Sequence, residues 1–409
     1  MSLAVLKGAV DICGFTLRSR ECNNQNSNCI DHLIKNEFPS GVEFFNCYSP
    51  GSHSLLSVKV NRSCDQCISS NGVDPCKSND PHSSHLKELF TLWSKITISR
   101  FHTILALKSN ISCGLQSLEK YVMYRGLFPQ EDDYTFGLSG FKLINEDFPV
   151  SSIFNVQESW NENFNEIVTN RTKVLNGTDG NENITICIAG PKNTGKSSLS
   201  RYLVNRFLTR GQRVAYLECD PGQPEFTPAG LLSLNIITTP LLGPSYSHPR
   251  KPHRSLFFGS TTSQEDPERY ISYIGILMDV YRRELAIHGI PLLINTHGWV
   301  KGLGFDILLR TLQYVNPKYL FQISLPSSSS KNLPDMSRIL PPTTTIFHIN
   351  TPNTSNNSKR GYNPSEIRDL SFLSHLSYRG SEKWNFSVFS SLYQIRWNEI
   401  RIRCLNGEV

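Results

Sequence analysis

The chain has 409 residues, long enough for two or three domains with substantial cores, and a formal net charge of +6, which permits an anionic partner but is too mild to establish one. No hydrophobic run approaches the ~18 residues that a membrane span needs. The N-terminus lacks a charged segment followed by an apolar core and a cleavage site, so the expectation is a soluble, intracellular protein with no membrane partner. Its 11 cysteines are scattered, and Cys13, Cys47 and Cys187 lie inside apolar runs where a reduced thiol packs as a small hydrophobe, as in cytosol or nucleus.

From the N-terminus, Leu3 to Leu6, Ala9 to Cys13, Gly14 to Leu17, Val42 to Phe45 and Ser54 to Val60 alternate apolar and polar residues between turn formers. This is the patterning of a β-sandwich or barrel. Residues 61–87 turn polar, with the reading of a flexible insertion. Cys64, Cys67 and Cys76 with His82 and His85 fall there, and a single CxxC with irregular partners reads as loop rather than as a zinc site. Apolar alternation resumes at Thr103 to Lys108, Gly114 to Tyr124 suits a short helix, and Trp160 to Val168 reads as a helix leading into the next unit.

From Ile184 the pattern becomes α/β. An apolar strand, Ile184 to Ala189, runs into Gly190-Pro-Lys-Asn-Thr-Gly-Lys-Ser197, after which Leu199, Leu203 and Phe207 line one helical face. Strand, GxxxxGK[ST] loop and helix together are a phosphate-binding loop. Its glycines let successive N–H groups point at a nucleotide's phosphates, and the helix adds its positive end. Gly190, Pro191, Lys192, Asn193, Thr194, Gly195, Lys196, Ser197 and Ser198 are the candidate nucleotide-binding residues. Lys196 would reach the β/γ-phosphates of ATP and Ser197 would ligate Mg²⁺.

A second strand, Arg213 to Glu218, ends in an acidic turn carrying Asp220, placed where a Mg²⁺-organising or proton-accepting carboxylate belongs in phosphoryl transfer. Glu218 and Gln223 flank it and are candidates to position an attacking hydroxyl or water. Farther on, a helix opens at Asp266-Pro267, with Tyr270, Ile274, Leu277, Tyr281 and Leu285 on one stripe ending near Gly289. A strand from Pro291 to Asn295, a helix from Phe305 to Val315 stopped by Asn316-Pro317, and a strand from Tyr319 to Ser324 complete the alternation. That order requires a mostly parallel sheet with ligand loops at its carboxyl edge. The loop alone leaves ATPase, GTPase and kinase open.

Blocks at Gly190 to Ser198, Tyr216 to Gly230, Phe258 to Thr262, Ile294 to Gly304 and Ile367 to Ser374 occur in order, and together they resemble the P-loop polynucleotide 5′-hydroxyl kinases, in particular the nucleolar branch acting in ribosomal RNA processing. Glu218 before Cys219-Asp220 favours that branch over its sister in mRNA 3′-end formation and tRNA splicing. The resemblance implies an ATP- and Mg²⁺-dependent enzyme acting on RNA with a 5′-hydroxyl end, located in the nucleus and nucleolus and partnered by a pre-rRNA endonuclease. It implies a clasp at Thr261 and Thr262, a base-stacking aromatic at Trp299, a catalytic carboxylate at Asp220 and a lid arginine at Arg368, with Arg360 as competitor. Trp299 on a Gly-rich loop suits a sequence-tolerant stacking platform, the alternative being a core residue at the sheet edge.

The expected fold is a P-loop α/β unit with a parallel sheet over residues 156–380. A β-rich unit over 1–155 precedes it, and the start of a β-rich C-terminal unit over 381–409 follows. The Ser/Asn-rich stretches at 326–331 and 353–363 suggest a poorly ordered lid, and the chain ends soon after Tyr393 to Arg403, which matches only the opening of the family's C-terminal domain. A P-loop GTPase or ATPase is the alternative enzyme, weakened by the absence of an Asn-Lys-x-Asp guanine motif. An inactive scaffold for a nuclease is the alternative binding protein, and intact Lys196, Ser197 and Asp220 argue against it.

Overall fold

The computed structural model describes residues 2–18, 45–48, 56–60, 103–108, 114–120, 127, 134–135, 138–139, 154, 156–175, 183–326, 332–351, 362–387 and 395–399. The cysteine and histidine cluster between Cys64 and His85, the lid candidate Arg360, and most of the two Ser/Asn-rich stretches lie outside these residues, as does most of Tyr393 to Arg403.

The N-terminal part is β-rich, as its alternation predicts. Strand β1 (Ser2–Lys7) precedes β2 (Ala9–Ile12), β3 (Phe15–Arg18), β4 (Phe45–Asn46), β5 (Lys59–Val60) and β6 (Ile104–Lys108). β1 pairs antiparallel with β4 and β6, and β2 with β3 and β5. The two-residue turn between β2 and β3 has positive φ at both Cys13 (47°) and Gly14 (81°), the left-handed conformation that matches hairpin twist. A 3₁₀ turn, Leu115–Lys120, stands where a short helix is expected, and a small ribbon of β7 (Tyr134–Thr135) and β8 (Leu138–Ser139) follows.

Helix α1 (Glu158–Leu175), longer than its apolar pattern suggests, leads to β9 (Thr185–Ala189) and the phosphate loop. Next come α2 (Lys196–Thr209), β10 (Val214–Cys219), β11 (Leu231–Ile237), β12 (Arg254–Phe257) and α3 (Pro267–Val280). The chain continues through β13 (Leu292–Thr296), α4 (Leu303–Val315), β14 (Tyr319–Ser324), β15 (Thr345–Asn350) and α5 (Pro364–Ser377). The seven strands β9 to β15 form one sheet in the order β12-β11-β10-β13-β9-β14-β15. Pairings from β10 through β15 are parallel, while β11 and β12 add an antiparallel edge. The sequence reading did not assign β11, β12 and β15.

Caps explain several boundaries. Asp266 accepts from the Arg269 N–H at 3.0 Å with Pro267 in the first turn of α3, and the helix continues through a wider turn over Tyr281–Leu285 to Gly289 at φ 66°. Asn363 and Glu366 form a reciprocal capping box on α5. Asn316, at φ 49°, ends α4 ahead of Pro317.

Both faces of the sheet are covered. On one, Leu217, Ile294 and Leu320 pack under Ile274 and Leu277 of α3 and Leu308 and Leu312 of α4. On the other, Ile186, Tyr216 and Phe321 pack under Phe164 of α1 and Leu203 and Phe207 of α2. The β2–β3 turn docks on the outside of α2. Asn205 donates to the Cys13 carbonyl (2.9 Å) and to the Leu241 carbonyl (3.1 Å) and accepts from the Leu241 N–H (2.8 Å), while the Thr16 N–H donates to Thr209 Oγ1 (2.9 Å). A Cβ on Gly14 would come within 2.5 Å of the Tyr202 ring. Residues 381–387 fold back onto α5, with Trp384 Nε1 donating to Ser374 Oγ at 2.8 Å and the Asn385 N–H to the Ser377 carbonyl at 2.7 Å. Trp397–Glu399 form a 3₁₀ turn. No helix among the described residues is long and apolar enough to cross a membrane.

Candidate active site at the carboxyl edge of the sheet

Three neighbouring parallel strands end at one place. β13 lies between β10 and β9, so the segments leaving their carboxyl ends, at Asp220, His297 and Gly190, stand side by side.

The loop after β9 is shaped by close contacts and by left-handed backbone. A Cβ on Gly190 would meet the Ile323 carbonyl at 2.7 Å, and Asn193 and Gly195 have φ of 61° and 87°. Thr194 is buried and donates to the Pro191 carbonyl at 2.8 Å, pinning the crest of the loop. Gly195 precedes α2 with no side-chain cap, so the helix presents its first N–H groups to an anion. Lys196 Nζ donates to the carbonyls of Gly190 (2.9 Å) and Pro191 (2.8 Å). Burial lowers its pKa to about 8, against the pull of Asp220, and Lys192 lowers it further. Lys192 and Asn193 are exposed on the rim, with Ser197 and Ser198 half-buried behind them.

Asp220, half-buried, shapes the turn after β10. Its Oδ1 accepts from the N–H groups of Gly222 (2.9 Å) and Gln223 (3.2 Å). A Cβ on Gly222 would lie 2.5 Å from the Thr261 carbonyl, so this turn rests directly on the Gly259 to Thr262 segment and brings exposed Gln223 and the Thr261-Thr262 pair to one rim. Within that segment Ser260 Oγ accepts from the Thr262 N–H at 3.1 Å.

Glu218 takes another place than the one expected beside a reacting hydroxyl. It is 2% exposed, and its carboxylate accepts from the N–H groups of Glu225 and Phe226 (both 2.6 Å), from Thr227 Oγ1 (2.9 Å) and from Ser233 Oγ (2.5 Å). Burial raises its carboxyl to about 7, against these donors. With both oxygens engaged, Glu218 ties the turn to β11 and does not face the loop.

Trp299 is half-buried, packed on the main core beside α4 and leaning on Gly304, where a Cβ would run into the indole. Part of the side chain thus lies against the core and part is open to solvent. Arg368 sits half-buried on α5, which packs Leu370 against Tyr246 and Leu115, and among the described residues it shares no hydrogen bond or ion pair with the phosphate loop.

Two features were not singled out from sequence. Arg201 on α2 donates from Nε (2.5 Å) and Nη2 (3.1 Å) to the buried Glu225, which also pairs with His248 Nε2 at 2.8 Å, a half-buried cluster linking the loop's helix to the Asp220 turn. His297, in the Ile294 to Gly304 block, follows directly on β13, the position that is the one signal for it in the sequence. Its Nδ1 accepts from the Trp299 N–H at 3.3 Å.

The residues fit a nucleoside triphosphate with a divalent ion. A Cβ at Gly190 would clash with the Ile323 carbonyl and crowd Thr194 Oγ1, so glycine is what lets the loop curl against β14; Lys196 and Lys192 bring two cations to the loop, and Asp220 lies close enough to Lys196 to attract it. Among the described residues no cluster of His, Cys, Asp and Glu has the makings of an all-protein metal site.

Residues 190–377 match the family model described as the mRNA cleavage and polyadenylation factor CLP1 P-loop. The chain is 43% identical over 154 residues to the polynucleotide 5′-hydroxyl-kinase NOL9 of Arabidopsis thaliana (36% of this chain, 42% of the relative) and 38% identical over 151 residues to that of Homo sapiens (37% and 20%). It is 32% identical over 229 residues to the polynucleotide 5′-hydroxyl-kinase GRC3 of Cryptococcus neoformans (50% and 29%). The matched segments thus span less than half the length of these curated relatives. A solved Clp1p–Pcf11p complex aligns with 18% identity and a TM-score of 0.44 over 55% of each chain.

Proposed function

We infer that this chain, whose residues 190–377 match the CLP1 P-loop family model and which is similar to polynucleotide 5′-hydroxyl kinases of the NOL9 kind, belongs to their nucleolar branch and transfers the γ-phosphate of ATP to the 5′-hydroxyl end of RNA. The observation that carries the reading is the adjacency of Lys196, Asp220 and the Thr261-Thr262 segment along one sheet edge, in a chain similar to proteins named for that activity. ATP with Mg²⁺ supplies the phosphoryl group and the counter-charge. The loop N–H groups and Lys196 bind the phosphates, with Ser197 and Asp220 as metal-holding side chains. Asp220 takes the hydroxyl proton. Thr261, Thr262, Gln223 and Trp299 hold the RNA end in line, which contributes most of the rate when little covalent chemistry is required of the protein. Arg368, with Arg360 as competitor, is the lid cation of this reading. A nucleolar site of action on pre-rRNA, after an endonuclease partner leaves a 5′-hydroxyl, belongs to the same inference, as does the division into units 1–155, 156–380 and 381–409.

Incubation with γ-labelled ATP, Mg²⁺ and a 5′-hydroxyl RNA oligonucleotide tests it. Label at the RNA 5′ end that is lost in Lys196→Ala is the expected result. Phosphate release without end label would favour a P-loop ATPase or GTPase, and absence of nucleotide binding would favour a scaffold.

A further inference from the structure

His297 occupies the middle of the site. In the sheet, Cys219 pairs with Thr296 and Asn295 pairs with Ile188, so the residue after β13 stands level with Asp220 on one side and with Gly190 on the other. Thr296 fixes this end of the strand by donating from Oγ1 to the Ile188 carbonyl at 2.8 Å. The ring is 6% exposed and packs edge-on against Tyr270, with centroids 6.0 Å apart. Because the Trp299 N–H donates to Nδ1, the proton of the neutral ring lies on Nε2. That Nε2–H is buried and has no partner among the described residues. An orphaned buried donor is costly and rare in folded proteins, and at the junction of a phosphate loop and a catalytic carboxylate it calls for an incoming acceptor. Burial keeps the imidazole neutral, lowering its pKa to about 4 against the attraction of Asp220, with Lys196 and Lys192 adding to the lowering.

We propose that His297 is a further catalytic residue, donating its Nε2–H to an oxygen of the γ-phosphoryl group as that group passes from the nucleotide to the RNA end. This rests on the nucleotide reading above. A neutral donor at this position adds a hydrogen bond to developing charge without repelling Lys196 or Lys192 and without taking the proton meant for Asp220. The ring exchanges no proton.

The test compares ADP with the imido analogue of ATP, each with Mg²⁺, by calorimetry on the full chain. His297→Leu should lose ~10-fold in affinity for the imido analogue and change little toward ADP, because the charge-assisted hydrogen bond to the γ-phosphate is the one lost contact that distinguishes the two nucleotides; the lost Nδ1 acceptor for the Trp299 N–H affects both alike. His297→Gln, whose amide nitrogen reaches the position of Nε2, should keep most of the difference. His297→Asn, whose amide reaches only the position of Nδ1, should lose it, and serves if the leucine variant does not fold. End labelling should fall ~100-fold in the leucine and asparagine variants, with melting of the asparagine variant near wild type. Equal losses toward both nucleotides, or none, would overturn the assignment. A wild-type chain that distinguishes the nucleotides through His297 but labels no RNA would overturn the kinase reading and leave this one standing.

Discussion

Gly298 and Lys192 are packed backbone to backbone. A Cβ added at Gly298 would lie 2.6 Å from Lys192 Cγ and 2.9 Å from its Cα and N. The loop after β13 thus braces the phosphate loop from outside. Gly298→Ala must displace Lys192, at a cost of about 1–3 kcal/mol, and that cost should appear as weaker nucleotide binding more than as lost folding. Calorimetry with ATP and a melting curve separate the two, and unchanged ATP affinity would deny the bracing.

Asp220→Asn removes the carboxylate charge while keeping an Oδ1 acceptor for the Gly222 and Gln223 N–H groups, so the turn persists. End labelling should fall at all Mg²⁺ concentrations by roughly a thousandfold or more, with ATP affinity within about tenfold of wild type. A labelling rate near wild type would move the acidic role off this turn altogether, because Glu218 has both oxygens occupied.

Trp299→Ala should weaken binding of a 5′-hydroxyl oligonucleotide by about 1–3 kcal/mol, similarly for all four terminal bases, and leave ATP binding unchanged. Melting should drop as well, since the indole covers part of the core. Trp299→Phe should restore most of the RNA affinity. If the alanine variant melts lower but binds the oligonucleotide normally, Trp299 is a packing residue and no platform.

Glu225 governs acid stability. Burial alone would raise its carboxyl, but the Arg201 guanidinium and His248 hold it at about 2, against an ordinary 4.5. With the folded pKa below the unfolded one, the contribution is complete above pH 4.5 and is lost as pH falls from there toward 2. Glu225→Gln should flatten denaturation midpoints across that window. At neutral pH it should cost about 1–3 kcal/mol, because the half-buried Arg201 loses its counter-charge. A variant with the wild-type slope between pH 4.5 and 2 would assign the acid sensitivity to another group.

The phosphate loop was legible because everything it needs is contiguous. Gly190 to Ser197, the strand before it and the helix after it are local structures, signalled by local periodicity and by glycines at the position of close approach and at the left-handed turn. The helix at Asp266-Pro267 and the stop at Asn316-Pro317 were legible for the same reason, since caps are read from neighbours. Strands β11 and β12 were not. They join as an antiparallel edge whose pairing with β10 no neighbouring residue signals; β11 is buried along most of its length and β12 is a four-residue, mostly exposed strand, so neither shows a clean alternation.

By itself, then, the sequence determined a nucleotide-binding strand, loop and helix with an acidic turn downstream, because N–H groups of successive residues make such a site. Tertiary structure alone decided which distant residues share it. Strand order, a matter of non-local pairing, set β13 between β9 and β10 and so put His297 between the phosphate loop and Asp220. The same pairing turned Glu218 away into a closed hydrogen-bond cluster with Ser233, a partner fifteen residues along that only the antiparallel return of β11 brings opposite it.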